Sequence, residues 1–449
     1  MRGPTTGWVA DAAGAALRAG DAAATGPRRA VVDTRAAAAG DLFVGLRGER
    51  ADGGAFASAA LEAGAWGALV APEHAARAAA AAPAGAAVLA AEDPLASLQA
   101  LARAWRRELG AGVVAVTGST GKTSTKDILA ALLATKRRTH ATSQNLNTEI
   151  GLPLTILEAE PGTEVLVLEM AMRGEGQIAE LVAVAEPDVG VIVNVGPVHL
   201  ELLGTVERVA AAKAELLRDL RPGAACVVPA GEPLLEPHRR ADLDTVTFGP
   251  GGEVMLLSFD GAPDGRAGSA EIEARGQRVL LELPYREPHN LLNTLAAVAA
   301  AVALGVRPGG RVEASFSSLR GEIVELAGGV TVVNDCYNAN PMSMRAALTH
   351  LAETPADRRV AVLGRMAELG RDGGELHRAV GEQARALGID VLVTVGEDAD
   401  SYAERFAGKT YAAATPEEAR ALLADIALPG DRVLVKGSRS VGLERVLDA

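Results

Sequence analysis

The sequence predicts an α/β protein of three domains, built largely on doubly wound, mostly parallel sheets. Three observations carry that prediction. Short apolar runs alternate with helical patterns: Val113–Val116, Val165–Leu168, Val189–Val193 and Cys226–Val228, then Thr331–Val333, Val360–Leu363, Val391–Val395 and Val433–Val435. Apolar runs joined by helical crossovers mark parallel strands covered on both faces. The 449 residues suffice for about three domains at roughly 100–200 residues each. Punctuation falls where boundaries are needed, at Asp93-Pro94 and at Gly305, Pro308, Gly309 and Gly310. The expected units are 1–107, 108–309 and 310–449.

Residues 1–107 read as a smaller α/β unit. The alanine-rich run Ala76–Ala82, closed by Pro83, reads as a surface helix, and Leu95–Leu109 as the helix leading into the central domain. There, Val113–Val116 ends in a Gly-rich turn, and Ile128, Leu129, Leu132 and Leu133 follow at helical spacing. Thr245–Phe248, Glu253–Phe259, Glu271–Arg275 and Val279–Leu283, separated by Gly, Pro and Asp, predict an antiparallel patch. A long alanine-rich helix is expected over Asn290–Leu304.

Composition excludes several classes. Hydrophobic residues make up 49% and aromatic residues 3%, so Ala, Val and Leu must fill the cores. A formal net charge of -13 gives no general attraction to nucleic acid or anionic membrane. Phosphates would have to be held by local devices. Cys226 and Cys336 cannot form a disulfide framework and read as small buried hydrophobes in a reducing compartment. Met1–Gly20 has no signal-peptide run and no segment reaches membrane-span length. A cytoplasmic protein with no membrane insertion is expected.

The sharpest motif is Thr117-Gly118-Ser119-Thr120-Gly121-Lys122-Thr123, between an apolar strand and an amphipathic helix. Glycines let backbone wrap phosphate oxygens, and amides at a helix start point at the anion. Lys122 can reach terminal phosphates, and the Thr123 hydroxyl can coordinate magnesium. Val116 stands where the common phosphate loop has Gly, so the loop is a tighter variant.

Three further residues are candidates. Glu169 ends a strand, where ligands gather in doubly wound sheets; it reads as a magnesium ligand or as a helix cap. His199 follows another strand end, in Asn194-Val195-Gly196-Pro197-Val198-His199, with site and structural roles evenly matched. Lys213 shares a helical face with Val206, Val209, Leu216, Leu217 and Leu220, whereas Glu207, Arg208, Glu215 and Arg218 fall mostly elsewhere. A buried ammonium is costly unless paired, and snorkelling of the long side chain is the blander reading.

Taken together these segments resemble the Mur ligase family, over nearly the whole chain. Val116–Lys126 is similar to its ATP loop, through Ser124, and Ser143-Gln144-Asn145-Leu146-Asn147 to its Asn-rich turn. Leu168-Glu169-Met170 and Val198-His199-Leu200-Glu201 resemble its magnesium positions, and Ala212-Lys213-Ala214-Glu215 its carbamylated lysine. Pro288-His289-Asn290-Leu291-Leu292-Asn293 resembles its adenine-binding turn. The resemblance implies that Thr123, Glu169, His199 and carbamylated Lys213 hold Mg2+. It implies that Lys122, Lys213, His199 and Glu169 serve catalysis, with His289, Asn290, Asn293, Arg320 and Asp335 on ATP. Asp33-Thr34-Arg35 and Gly40–Gly48 resemble a uridine-nucleotide domain, implying that Thr34, Arg35 and Asn145 bind the UDP substrate.

The segments Asn334–Pro341, Met366–Gly370 and Lys436–Ser440 resemble the members that join D-alanyl-D-alanine to UDP-MurNAc-tripeptide. Tyr337, Asn338, Asn340, Lys436, Ser438 and Arg439 would then meet the dipeptide, and the enzyme would act as a monomer. Members that add single amino acids carry a His-containing form of the first segment. Three positions depart from the family pattern: Arg365 for Asp, the order Arg320-Gly321, and Asn334 where Asp is frequent. The open alternatives are a family ligase with another amine or acceptor, such as a member that adds a single amino acid or a folate-glutamate ligase, and a phosphate-loop regulator that ligates nothing.

Overall fold

The computed structural model describes residues 1, 3–261, 267–314, 316–317, 319–326 and 328–448. Among these residues the strands form three sheets. The first runs in the order Ala16–Ala19, Ala87–Ala90, Gly67–Val70, Asp41–Val44, Arg29–Val31. Its last four strands are parallel, and Ala16–Ala19 pairs antiparallel to Ala87–Ala90. The helix Pro72–Ala81 covers it with Ala75 and Ala78 buried. Ala79 packs partly against the same core while Ala76 and Ala80 are exposed, so its sidedness comes from contact rather than from residue type.

The helix Pro94–Leu109 joins this unit to the next. Asp93 caps it by accepting from Leu95 and Ala96 amides, and Gly110, at φ 60°, ends it. The buried Trp105 indole N–H donates to the Ala159 carbonyl at 3.0 Å. Arg106 donates to the carbonyls of Ala185 and Glu186, satisfying orphan acceptors at the end of the helix Gln177–Ala185.

The central sheet has ten strands. Six are parallel, ordered Thr139–Ala141, Val165–Glu169, Gly112–Thr117, Val189–Ile192, Ala225–Pro229, Asp244–Phe248. Val254–Gly261, Gly268–Ala274 and Gln277–Leu283 continue it as an antiparallel meander, and Gly310–Arg311 closes the edge. One expectation is corrected here. Thr245–Phe248 belongs to the parallel part, with Cys226 opposite Thr245 and Val228 opposite Thr247. Residues 230–243 are long enough to cross over, and Val246 and Phe248 share one core with Val227. The strand Thr139–Ala141 has no apolar run to announce it. The helix Pro288–Ala303 buries everything from Asn293 to Ala301; its alanines let it pack closely on Lys122–Ala134.

The third sheet runs Glu322–Leu326, Val330–Asn334, Asp431–Lys436, Arg358–Gly364, Val391–Val395, Lys409–Ala413. The first strand is antiparallel and the rest parallel. The carboxyl ends of central strands Gly112–Thr117 and Val165–Glu169 face those of Val330–Asn334 and Asp431–Lys436 across one cleft.

Candidate active site

The cleft holds about 1540 Å³ and is lined from both the second and third units. Its floor is the loop after Thr117. Gly121 takes φ 72°, and a Cβ there would lie 2.4 Å from Asn293 Oδ1, so glycine is required on both counts. Asn194, beyond the neighbouring strand Val189–Ile192, holds the loop: its Oδ1 accepts from the amides of Ser119 and Thr120 at 3.1 and 2.9 Å. Ser119 Oγ donates to the Gly196 carbonyl and accepts from the Gly196 amide.

Two ammonium groups converge on one oxygen. Lys122 Nζ donates to the Gly118 carbonyl at 2.8 Å, and Lys213 Nζ donates to the same carbonyl at 3.0 Å. Lys213 is 2% exposed, so its side chain does not snorkel. Burial, and then the Lys122 charge, push its ammonium well below the usual lysine range. Burial lowers Lys122 too, while Glu169 pulls it back and Arg320 adds repulsion. The helix Val206–Asp219 corrects a second expectation, because Glu215 lies inside it. Its carboxylate accepts from the Gly176 and Ala179 amides at 2.6 and 3.1 Å, capping the positive end of Gln177–Ala185.

Glu169 is 2% exposed. Its Oε1 accepts from Asn147 Nδ2 at 2.8 Å, and its amide donates to Thr142 Oγ1. Its Oε2 is buried with no partner, as is Thr117 Oγ1. A carboxylate oxygen in that position costs free energy unless a cation or donor arrives. With the Thr123 hydroxyl beside the loop, these hard oxygen donors fit a magnesium ion. His199 also lines the cleft, and its Nδ1 lies 2.5 Å from Glu368 Oε2 of the third unit. That hydrogen bond, against the opposing effect of burial, holds the Glu368 carboxyl below its usual range.

On the opposite side most buried polar groups are paired within the unit, although Arg320 Nε and Asn334 Oδ1 are buried with no partner. Lys436, 2% exposed, donates to Asp335 Oδ2 at 2.5 Å and to the Asn338 carbonyl at 3.0 Å. The Arg320 guanidinium stacks 3.9 Å from the Tyr337 ring centroid. Asn340 caps the helix Pro341–Glu353 in a reciprocal pair with Ser343. Ser438 Oγ accepts from the Ala367 amide at 2.9 Å. Burial pushes the Cys336 thiol up to about 12, leaving it unreactive near neutrality.

The cleft therefore gathers Ser119 to Ser124, Asn145, Glu169, His199, His289, Asn290, Asn293, Arg320, Asp335, Tyr337, Asn338, Asn340 and Lys436. Thr117, Gly118 and Lys213 lie just beneath it. Ser438 and the exposed Arg439, paired with Glu444, are not in its lining. Thr34 and Arg35 are elsewhere, in a 3-10 turn capped by Asp33, where Arg35 pairs with Asp33. The departure at Arg365 leaves that side chain half-exposed, 3.8 Å from Asp398.

Three polar residues at this site have roles the sequence reading does not assign: Asn194, Asn147 and Glu368. Asn194 stands at the end of a strand beside the loop strand, which was its one usable signal. A partly exposed cluster of Asp52, Glu73 and His74 in the first unit has metal-like spacing, but Arg47 pairs with both Asp52 and Glu73.

A phosphate loop, buried lysines and an acid with an unfilled oxygen, facing a second α/β unit, define an ATP-dependent ligase that joins a carboxyl group to an amine. The chain belongs to the Mur ligase family. The family's middle-domain model matches residues 116–301, and its glutamate ligase domain model residues 319–439. The UDP-N-acetylmuramoyl-tripeptide--D-alanyl-D-alanine ligase of Synechocystis is 37% identical over 432 residues, covering 92% of this chain and 90% of that protein. The Bacillus subtilis ligase of the same name is 34% identical, covering 92% and 91%. MurF from Acinetobacter baumannii superposes with a TM-score of 0.87 at 28% identity, over 100% of this chain and 98% of that one. MurF ligase from Thermotoga maritima in complex with ADP gives 0.80 at 33% identity, over 94% and 96%.

Proposed function

We propose that this chain adds D-alanyl-D-alanine to UDP-N-acetylmuramoyl-tripeptide at the expense of ATP, as a cytoplasmic monomer. The observation that carries the reading is the pair Lys122 and Lys213 on the Gly118 carbonyl, beside the unfilled Glu169 oxygen. Buried Lys122 suits a polyphosphate, and the unfilled acid beside Lys213, a depressed amine able to take up CO2 as an anionic carbamate, suits its metal. In this reading residues 1–107 bind the UDP end with Thr34 and Arg35, helped by Asn145. Residues 108–309 bind ATP, with Asn293 at the base and His289, Asn290, Arg320 and Asp335 around it. Residues 310–449 receive the dipeptide through Tyr337, Asn338, Asn340, Lys436, Ser438 and Arg439.

The tripeptide's terminal carboxylate attacks the γ-phosphorus of ATP, and ADP leaves with the bonding electrons. The dipeptide amine then attacks the acyl carbon, loses a proton, and inorganic phosphate departs. Both steps bring like charges or poor electrophiles together, so positioning and charge neutralisation do most of the work. Lys122 balances the charge on the transferring phosphoryl group. Thr123, Glu169, His199 and Lys213 as its carbamate would hold Mg2+, which when bound supplies the remaining charge neutralisation. The depressed Lys213 amine favours carbamate formation, because CO2 reacts only with the neutral amine. The third unit closes over the site to keep water from the acyl phosphate.

The test is phosphate release from ATP with UDP-MurNAc-tripeptide and a panel of amines. Release that needs both acceptor and D-alanyl-D-alanine supports the reading. Equal release with single amino acids points to another ligase, and release with neither substrate points to a non-ligating nucleotide switch.

A further inference from the structure

The second and third units meet at a contact that neither sheet requires. Glu368 reaches across to His199 Nδ1 at 2.5 Å, with its other oxygen 3.5 Å from Arg173 Nε. His199 and Glu368 are both non-glycine residues in left-handed backbone, at φ 54° and 62°. Such conformations are costly for a residue that carries a Cβ and persist where the surroundings over-determine them. Here the surroundings do. The Glu201 amide donates to the Glu368 carbonyl at 3.2 Å. Gly370 lies so close that a Cβ would sit 3.2 Å from Glu201 Cα. Met342 is seated on Gly196, where a Cβ would come within 1.9 Å of its sulfur.

We propose that Glu368 is a positioning residue: its carboxylate on Nδ1 fixes the His199 imidazole to offer Nε2 to the metal, so that metal binding and docking of the third unit favour each other. The inference rests on the metal role given to His199 above. A carboxylate partner requires Nδ1–H, which leaves the Nε2 lone pair free for a ligand. A cation that binds better when the two units are docked must, by reciprocity, strengthen the docking by the same factor. The chain thereby has a means of reporting to its third unit that the metal is in place.

The test uses the full chain with ADP. Mn2+ affinity is measured by electron paramagnetic resonance for wild type, Glu368→Gln, Glu368→Ala and Arg173→Ala. Histidine ring nitrogens are followed by 15N NMR, and amide exchange is read at Leu200–Leu203 and Ala367–Gly370. The expected result is a loss of about tenfold or more in Mn2+ affinity in both Glu368 variants. A mixed His199 tautomer should accompany it. Arg173→Ala, which leaves the His199 contact in place, is the control and should lose no more than about twofold; if the Glu368 variants misfold, the absence of Mn2+-slowed exchange at both segments in wild type would still overturn the coupling. Mn2+ should slow exchange at both segments in wild type only. Wild-type Mn2+ affinity in both Glu368 variants would overturn the coupling while leaving the ligase reading intact. A wild-type chain that binds no Mn2+ would overturn the metal reading, and this inference with it.

Discussion

The two walls of the cleft are lined with the same kinds of side chain, and their buried lysines are satisfied in opposite ways. On the third unit, buried Lys436 has its own carboxylate in Asp335, and Asn340 is spent on a helix cap. On the central unit, Lys122 and Lys213 share one neutral carbonyl, and Glu169 keeps an oxygen with no partner. Buried polarity that is paired builds the scaffold. Buried polarity left wanting a counter-charge marks where a charged ligand is to be bound, at a cost in stability.

The largest test of that contrast is Lys122→Ala. Product formation should fall by about 10²–10³-fold or more, with the melting temperature unchanged or raised because a charge beside Lys213 is gone. A variant that folds less well but still turns over would break the distinction. On the other wall, Lys436→Met should, besides any loss in dipeptide affinity, destabilise by about 3 kcal/mol, because Asp335 is left partly buried without its cation. Denaturant unfolding reads this directly, and a shift within experimental scatter would put Lys436 among the ligand-seeking groups.

Lys213 sharpens the comparison through pH. Its folded-state pKa is lowered, so the unfolded chain binds the proton more tightly. Stability must then rise with pH between the depressed folded value and the ordinary lysine value near ~10.4. In metal-free, CO2-free buffer Lys213→Met should melt higher than wild type near neutrality, and the gap should close toward pH ~10. A gap that widens with pH would refute the buried-amine account. The smallest effect is expected at Glu215→Gln, about 1–2 kcal/mol, from a weakened cap on Gln177–Ala185. Circular dichroism melts should resolve it with the other cleft functions intact.

Much of the architecture was legible because it rests on local pattern. The apolar runs at Val113–Val116 and Val360–Leu363, and the glycines of the phosphate loop, say what they are without their neighbours. Thr139–Ala141 and Lys409–Ala413 were not legible, because edge strands that are half-exposed need no apolar run. Thr245–Phe248 was read with the wrong partners, since a strand's direction depends on what its crossover reaches. At the site, Lys213 was singled out by helical spacing alone, yet the same spacing placed Glu215 outside, where a distant helix terminus in fact draws it in.

The sequence by itself determined the α/β class, the phosphate loop and the family, because these depend on residues adjacent in the chain or repeated with the period of a helix or strand. Only the tertiary structure decided that Lys213 meets Gly118, 95 positions away, and that Glu368 meets His199, 169 positions away. Contacts of that range are set by how whole sheets and helices pack, and no local pattern of side chains encodes them.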